Sequence, residues 1–203
     1  MMIDKKISEE YEKYIICFQF SGSKLYTAYG PDLNSDGGDK FLVDENFNIL
    51  LFRSCDYINK YIQKNSENAN LFDAERLIKW AHLNDDFSCQ ASYDLDSVAS
   101  LIRSTEIKYE YFEANIRCLL DFINLFKDYY YQINDNTFDK ILGNSNLNTF
   151  LDFAYDGYPW KSNFNSLEQK YEAFVNQVNN QGVLFDTMKM YDYFIKRFRI
   201  ISE

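Results

Sequence analysis

An α+β fold, with an N-terminal antiparallel β-meander of about four strands plus a helix and a mostly α-helical C-terminal part, follows from two observations about spacing. Up to Lys64, apolar residues alternate or run in short blocks bounded by turn residues; from about Asn65 onward they recur at intervals of three and four. A third observation concerns continuity. No repeat and no low-complexity linker interrupts the 203 residues, which predicts one α+β domain over 1–203, β-rich at 1–64 and helical at 65–203.

The elements follow in order. Tyr14 to Phe20 is nearly all apolar or β-favouring, Ser21-Gly22-Ser23 offers a turn, and Lys24 to Tyr29 returns as a second strand. A second hairpin is predicted from Lys40 to Val43, a turn at Asp44-Glu45-Asn46, and a strand over Phe47 to Phe52. Ser54 is placed to cap a helix over Asp56 to Lys64, with Ile58, Tyr61 and Ile62 on one face. Short helices are predicted at Asp73 to Ala81 and, capped by Asp94, over Leu95 to Ile102. A long helix spans about Ile107 to Tyr131, its stripe being Phe112, Ile116, Leu119, Leu120, Ile123, Phe126 and Tyr130. Asn-rich loops lead to a shorter helix near Phe150 to Tyr155 and a turn at Asp156-Gly157-Tyr158-Pro159. Helices over Ser166 to Val178 and Asp186 to Phe198 close the chain. Met188, Tyr191, Phe194, Ile195 and Phe198 face inward, and Lys196, Arg197 and Arg199 suit the negative end of the last dipole.

Composition bounds the function. With 21 Lys+Arg against 31 Asp+Glu the net charge is −10, which argues against nucleic acid and anionic lipid as partners and points to a basic one. The 18 Phe and 17 Tyr suit an aromatic-rich interface, but an AT-rich codon usage produces the same bias, and most of these rings are assigned to the core. The four cysteines, Cys17, Cys55, Cys89 and Cys118, form no CxxC pair, and Met1 to Glu10 has no apolar core of a signal peptide. Reduced, mostly buried thiols in a soluble cytoplasmic protein are expected. The longest apolar stretch, Tyr14 to Phe20, is far short of the about 20 residues a membrane span needs.

No catalytic constellation emerges. Asp32-Leu33-Asn34-Ser35-Asp36-Gly37 fits the first half of a calcium loop, but Lys40 and Val43 stand at its ninth and twelfth positions and its flanks read as strands. His82, the single histidine, lies near a helix end, and no G-x-S-x-G elbow or cysteine signature accompanies it. One histidine and scattered cysteines supply no zinc ligand set, and Gly37-Gly38 lacks the Lys-Ser/Thr of a phosphate loop. A non-enzymatic protein without metal or small-molecule cofactor is expected. The alternatives are a carboxylate- or metal-dependent hydrolase, or a regulatory adaptor that binds a host protein.

What remains is the distribution of charge. Asp32 to Glu45 holds five acids (Asp32, Asp36, Asp39, Asp44 and Glu45) and one Lys, and Ala81 to Ile102 holds four (Asp85, Asp86, Asp94 and Asp96) and no Lys or Arg. Together they suggest an acidic face that steers a basic protein, with Tyr26, Tyr29 and Tyr93 as anchors.

The run from Phe20 to Pro31, followed by Phe41 to Phe52 and the helix to Lys64, resembles the opening strands-plus-helix module of some immunity proteins that bacteria make against their own polymorphic or contact-dependent-inhibition toxins. That resemblance implies a cytoplasmic inhibitor whose partner is a cognate toxin domain, often a basic nuclease, whose active site it occludes.

Overall fold

The computed structural model describes residues 4–35, 38–67, 71–85, 88–104, 108–156, 166–180 and 182–202. The fold class is the expected one, a mostly antiparallel four-stranded sheet near the N-terminus followed by helices. Contacts divide the chain into two compact units, the first made of Met1–Asp94, Asp128–Ile133 and Ile195–Glu203, the second of Leu95–Lys127 and Asn134–Phe194.

The first unit opens with a helix, α1 (Asp4–Tyr11), in a segment too polar for apolar spacing to reveal it. It ends on Glu12 at φ 55°, and the Lys13 N–H returns to the Ser8 carbonyl at 3.2 Å, the bonding of a Schellman cap. Strands β1 (Tyr14–Phe20) and β2 (Ser23–Pro31) then form the expected hairpin, in register from Tyr14 opposite Tyr29 to Phe20 opposite Ser23. Its two loop residues, Ser21 and Gly22, have φ of 51° and 71°; two left-handed residues match the right-handed strand twist.

The second hairpin departs from expectation. Strand β3 (Asp39–Phe41) pairs antiparallel with β2, but the strand expected over Phe47 to Phe52 shrinks to β4 (Ile49–Leu51). β4 pairs in parallel with β6 (Phe198–Ile200), and isolated bridges Val43–Ile49 and Tyr26–Phe52 link this segment to the chain of the main sheet. The reason lies at Asp44. Its carboxylate accepts the Asn46 and Asn48 N–H groups at 2.9 and 2.8 Å and the Asn48 amide at 2.9 Å, which curls the chain into a loop with Phe47 at φ 60°. The fourth place in the sheet goes to β5 (Ala91–Asp94), parallel to β1, giving the order β3-β2-β1-β5.

Alternation along β1 and β2 gives this sheet two apolar faces. On one, Ile15, Ala28, Leu42 and Phe52 pack with Ile58 and Ile62 of α2 (Cys55–Lys64) and Leu77, Trp80 and Ala81 of α3 (Ala74–Leu83). On the other, Phe41 meets Tyr129 edge-on at 6.2 Å, and Phe18 stacks on Phe198 at 5.5 Å. Phe198 and Arg199 therefore serve a strand, where the spacing had extended the last helix.

A buried ion pair ties these pieces together. Lys13 is 0% exposed; its Nζ lies 2.8 Å from Asp73 Oδ2 and donates to the Pro31 and Tyr11 carbonyls at 2.6 and 3.3 Å. Asp73 precedes α3 at φ 43°, accepts from the Asn34 amide at 2.9 Å and lies 3.5 Å from Arg76 Nε. Gly30 makes room for this junction: a Cβ there would lie 2.2 Å from the Glu12 carbonyl oxygen. Removing one member of a buried pair strands the other charge, so Lys13→Ala is expected to cost about 3–5 kcal/mol in urea unfolding, and the double change Lys13→Met with Asp73→Leu less.

The second unit is helical: α4 (Leu95–Ile102), a 3₁₀ turn at Tyr109–Tyr111, α5 (Phe112–Ile133) as far as Lys127, α6 (Asp139–Leu142), α7 (Ser145–Asp156), α8 (Leu167–Asn180) and α9 (Val183–Ile195). Helix α5 starts at Phe112 rather than near Ile107, which lies outside the described residues, as does the expected turn at Gly157 to Pro159. Its buried surface is wider than the expected stripe: Phe122 and Leu125 join it, while Leu120 is only half-buried. Within this unit Phe126 meets Phe138 edge-on at 5.0 Å, and Phe122 meets Phe194 at 5.8 Å.

Asp135 fastens α9 to the loop after α5. It accepts the Thr137 hydroxyl and N–H, the latter at 2.7 Å, and the Tyr193 hydroxyl at 2.6 Å; these bonds hold its carboxyl down at about 2. A depressed folded value stabilises fully above the unfolded value of about 3.9 and loses that contribution as pH falls through about 2. Asp135→Asn should therefore cost about 1–2 kcal/mol at pH 7, with the gap to the parent closing below pH ~3 in denaturation series.

Candidate functional site

The twelve residues expected to form an acidic, tyrosine-bearing surface do not converge. Asp44 is buried, its carboxylate occupied by Asn46, Asn48 and, at 2.8 Å, Arg199. Burial opposes ionisation there, but the bonds from Asn48 and Arg199 outweigh it and hold the carboxyl below its ordinary range. Asp44 thus serves as a structural anion within its own loop. Asp36 and Asp86 lie outside the described residues. Glu45, Asp85 and Asp94 are exposed, and Asp32 and Asp39 half-buried, in the first unit; Asp96 is half-buried in the second.

Strand register separates the remainder. Asp39 opposes Pro31 on one edge strand, whereas Asp94 on the other edge opposes Gln19, whose own partner on β2 is Lys24. Three strand spacings and about seven residues of rise put the two acids ~25 Å apart, at opposite corners of the sheet. The tyrosines divide too. Tyr26 and Tyr29 are three positions apart on β2 and so face opposite sides of the sheet. Tyr26 lines an open cavity of about 530 Å³ with Arg53, Ser54, Cys55 and Asp56. Tyr93 packs against Phe18, with ring centres 6.2 Å apart.

A different acidic cluster is present where β1 begins. Tyr14 and Tyr29 stand opposite each other in the register; the charges of Glu12, Glu9 and Asp39 act on Tyr14, and those of Asp128 and Asp39 on Tyr29. The Tyr29 hydroxyl donates to Asp128 Oδ2 at 2.5 Å and lies 3.2 Å from Asp39 Oδ2; a phenol has one proton, so the shorter contact takes it. Burial first, then the bond to Asp128 and the charges of Asp128 and Asp39, drive the Tyr29 phenol far above its usual range. Burial, followed by Glu12, Glu9 and Asp39, raises Tyr14 as well. The backbone beneath is held by Gln132, whose amide oxygen accepts the Phe41 N–H at 2.8 Å and whose amide nitrogen donates to the Phe41 carbonyl at 2.9 Å.

Of these residues only Asp39 and Tyr29 were expected. Glu9 and Glu12 belong to a charged run that offered no reason to fold onto the strand, and Asp128 stands off the apolar stripe of a long helix. The available signal was the Glu9-Glu10-Tyr11-Glu12 run directly ahead of the β1 pattern.

The remaining candidates fall into place. In the Asp32 loop, Asp32 Oδ1 accepts the Asn34 N–H at 3.1 Å, while the Asn34 amide turns to Asp73, away from a shared cation position. Among the described residues no group of three or more His, Cys, Asp or Glu is placed to hold a metal ion. His82 is exposed in the last turn of α3. All four cysteines are reduced; Cys17 is buried, Cys89 is exposed, and Cys55 and Cys118 are intermediate, so they are less buried than expected. No helix among the described residues is long and apolar enough to cross a membrane.

The molecule is an α+β protein with a helix-flanked sheet. It is similar in fold to the chain described as the crystal structure of SatS c-terminal domain in complex with bromine: 98% of this chain aligns with 98% of that one at 14% identity and a TM-score of 0.54. No family model matches the sequence, and no curated protein matches it.

A direct check of the site is alkaline titration. Tyr29→Phe should leave the tyrosinate absorbance gained up to pH ~10.5 unchanged, because Tyr29 stays protonated where an ordinary phenol titrates near 10. Loss of one ionising phenol in that range would remove the carboxylate contacts as its environment.

Proposed function

We propose that this chain is a cytoplasmic immunity protein that binds a basic toxin domain, of nuclease type, and covers its active site. The observation that carries the reading is the Tyr14–Tyr29 pair, with Asp39 and Asp128 at the Tyr29 hydroxyl and the charges of Glu9 and Glu12 acting on Tyr14. Tyrosines held rigidly side by side supply contact area at little entropic cost, and the surrounding acids draw in cationic side chains. A protein of net charge −10 accelerates that encounter over a longer range. The likeness to the SatS domain is one of fold and adds no partner.

The test is co-expression with, and pull-down by, the product of the gene immediately upstream. Rescue of growth together with a stable complex supports the reading; a neighbour that is not toxic, or toxicity that persists, ends it. Within a complex, Glu9→Lys with Glu12→Lys should lower the association rate at low salt by about tenfold and leave dissociation nearly unchanged. Asp94→Lys, at the far corner of the sheet, should change the rate less than twofold or so.

A further inference from the structure

The first unit carries a cavity that the acidic site does not use. Along α2, Tyr57, Lys60, Tyr61 and Lys64 recur at intervals of three and four, which sets them on one face, while Ile58 and Ile62 turn to the core. The chain beyond β6 flanks that face. β6 pairs in parallel with β4, and the Ile201 N–H donates to the Leu51 carbonyl at 2.8 Å, which lays Ile201 alongside Phe52. Between the helix face and this segment lies a cavity of about 380 Å³, lined by Phe52, Ile201 and the four residues of the α2 face. All of them belong to the first unit. The floor is apolar and aromatic: Phe52 is buried and meets Tyr61 edge-on at 5.4 Å, and Tyr57, Tyr61 and Ile201 pack against the same core. The rim is basic. Lys60 Nζ lies 4.8 Å from the centre of the Tyr57 ring and 3.1 Å from Asp56 Oδ2, and Lys64 follows in the last turn of α2.

We propose that this cavity binds a small aromatic carboxylate, with its ring against Phe52, Tyr57, Tyr61 and Ile201 and its carboxylate at Lys60 and Lys64. The volume falls within the range of about 300–1,000 Å³ typical of small-ligand pockets, and an apolar lining with a few orienting polar groups is their usual construction. Three rings around one space favour an aromatic guest, which meets them edge-on or offset. Charge sets the other half of the ligand. The formal charges of Asp56, Lys60 and Lys64 sum to +1, which matches one carboxylate, in a protein whose net charge is −10. The Lys60–Asp56 pair faces solvent and is weak, and an ammonium has three N–H donors, so Lys60 serves a ligand carboxylate and Asp56 together. The inference does not depend on the proposed toxin partner, since neither Tyr14 nor Tyr29 lines the cavity.

The experiment titrates the whole protein at low salt with naphthoate, naphthylmethylamine and cyclohexanecarboxylate, followed by ligand-observed NMR. Naphthoate should bind at one site, the amine about tenfold or more weaker, and the saturated acid about threefold or more weaker. Lys60→Glu with Lys64→Glu should weaken naphthoate about tenfold or more. Lys24→Glu with Lys140→Glu, exposed positions that change net charge by the same amount, should weaken it less than about twofold. A naphthoate dissociation constant above ~1 mM overturns the proposal, as does equal affinity for the amine or for the saturated acid. So does naphthoate binding that survives the Lys60 and Lys64 changes. Because the parent's own preference among the three probes decides the matter, a variant that fails to fold does not shield the proposal.

Discussion

The first unit depends on one buried ion pair. Lys13 and Asp73 are taken almost wholly out of water, and each is surrounded by partners that only the folded chain supplies: carbonyls of Tyr11 and Pro31 for the ammonium, the Asn34 amide and Arg76 for the carboxylate. Desolvating both charges costs several kcal/mol per ion, which their mutual attraction and these hydrogen bonds offset. The end of α1, the start of β1, the end of β2, the loop after it and the start of α3 all meet at that pair. Three backbone features bear the cost locally: Glu12 and Asp73 in the left-handed region, and a glycine at position 30 against which the Glu12 carbonyl rests.

This node also sets the site. By fixing the exit from α1 it lays Glu9 and Glu12 beside the first residue of β1, and by fixing the end of β2 it holds Tyr29 at the level of Asp39 and Asp128. The acidic character of the patch is thus a by-product of how a lysine is buried beneath it. The proposed contact surface draws on this corner, where the phenols of Tyr14 and Tyr29 meet carboxylate charge, rather than on the stretches Asp32 to Glu45 and Ala81 to Ile102. Asp44 shows why linear charge misleads: it belongs to the run of five acids from Asp32 to Glu45, yet its negative charge is engaged by its own loop and by Arg199.

What the residues disclosed in advance divides along a physical line. The β1–β2 hairpin was legible because Tyr14 to Phe20 could only be a strand and Ser21-Gly22 accepts two left-handed conformations. Helices α2, α3 and α5 were legible from apolar spacing. β5 was not: Ala91-Ser92-Tyr93-Asp94 carries no strand pattern of its own and becomes a strand only by lying parallel to β1. β6 was hidden because Phe198 continues the helical spacing of α9 for one more turn, and only pairing with β4 distinguishes the two outcomes. Lys13, between Glu12 and Tyr14, reads as a solvated lysine. Its burial is a fact about residues 18 and 60 positions away, and no local pattern encodes it. The same holds for the site: Tyr29 and Asp39 were named, whereas Glu9, Glu12, Tyr14 and Asp128 join them only through the fold.

Gln132 deserves a last consequence. Its side chain occupies both the N–H and the carbonyl of Phe41, the last residue of the short outer strand β3, in the way a neighbouring strand would. A row of unsatisfied backbone groups on an outer strand is a template for pairing with another molecule, and such templates seed runaway assembly. Here one amide mimics the missing neighbour and occupies that template. At that border the Gln132 amide thus takes the place on Phe41 that a further strand would otherwise occupy.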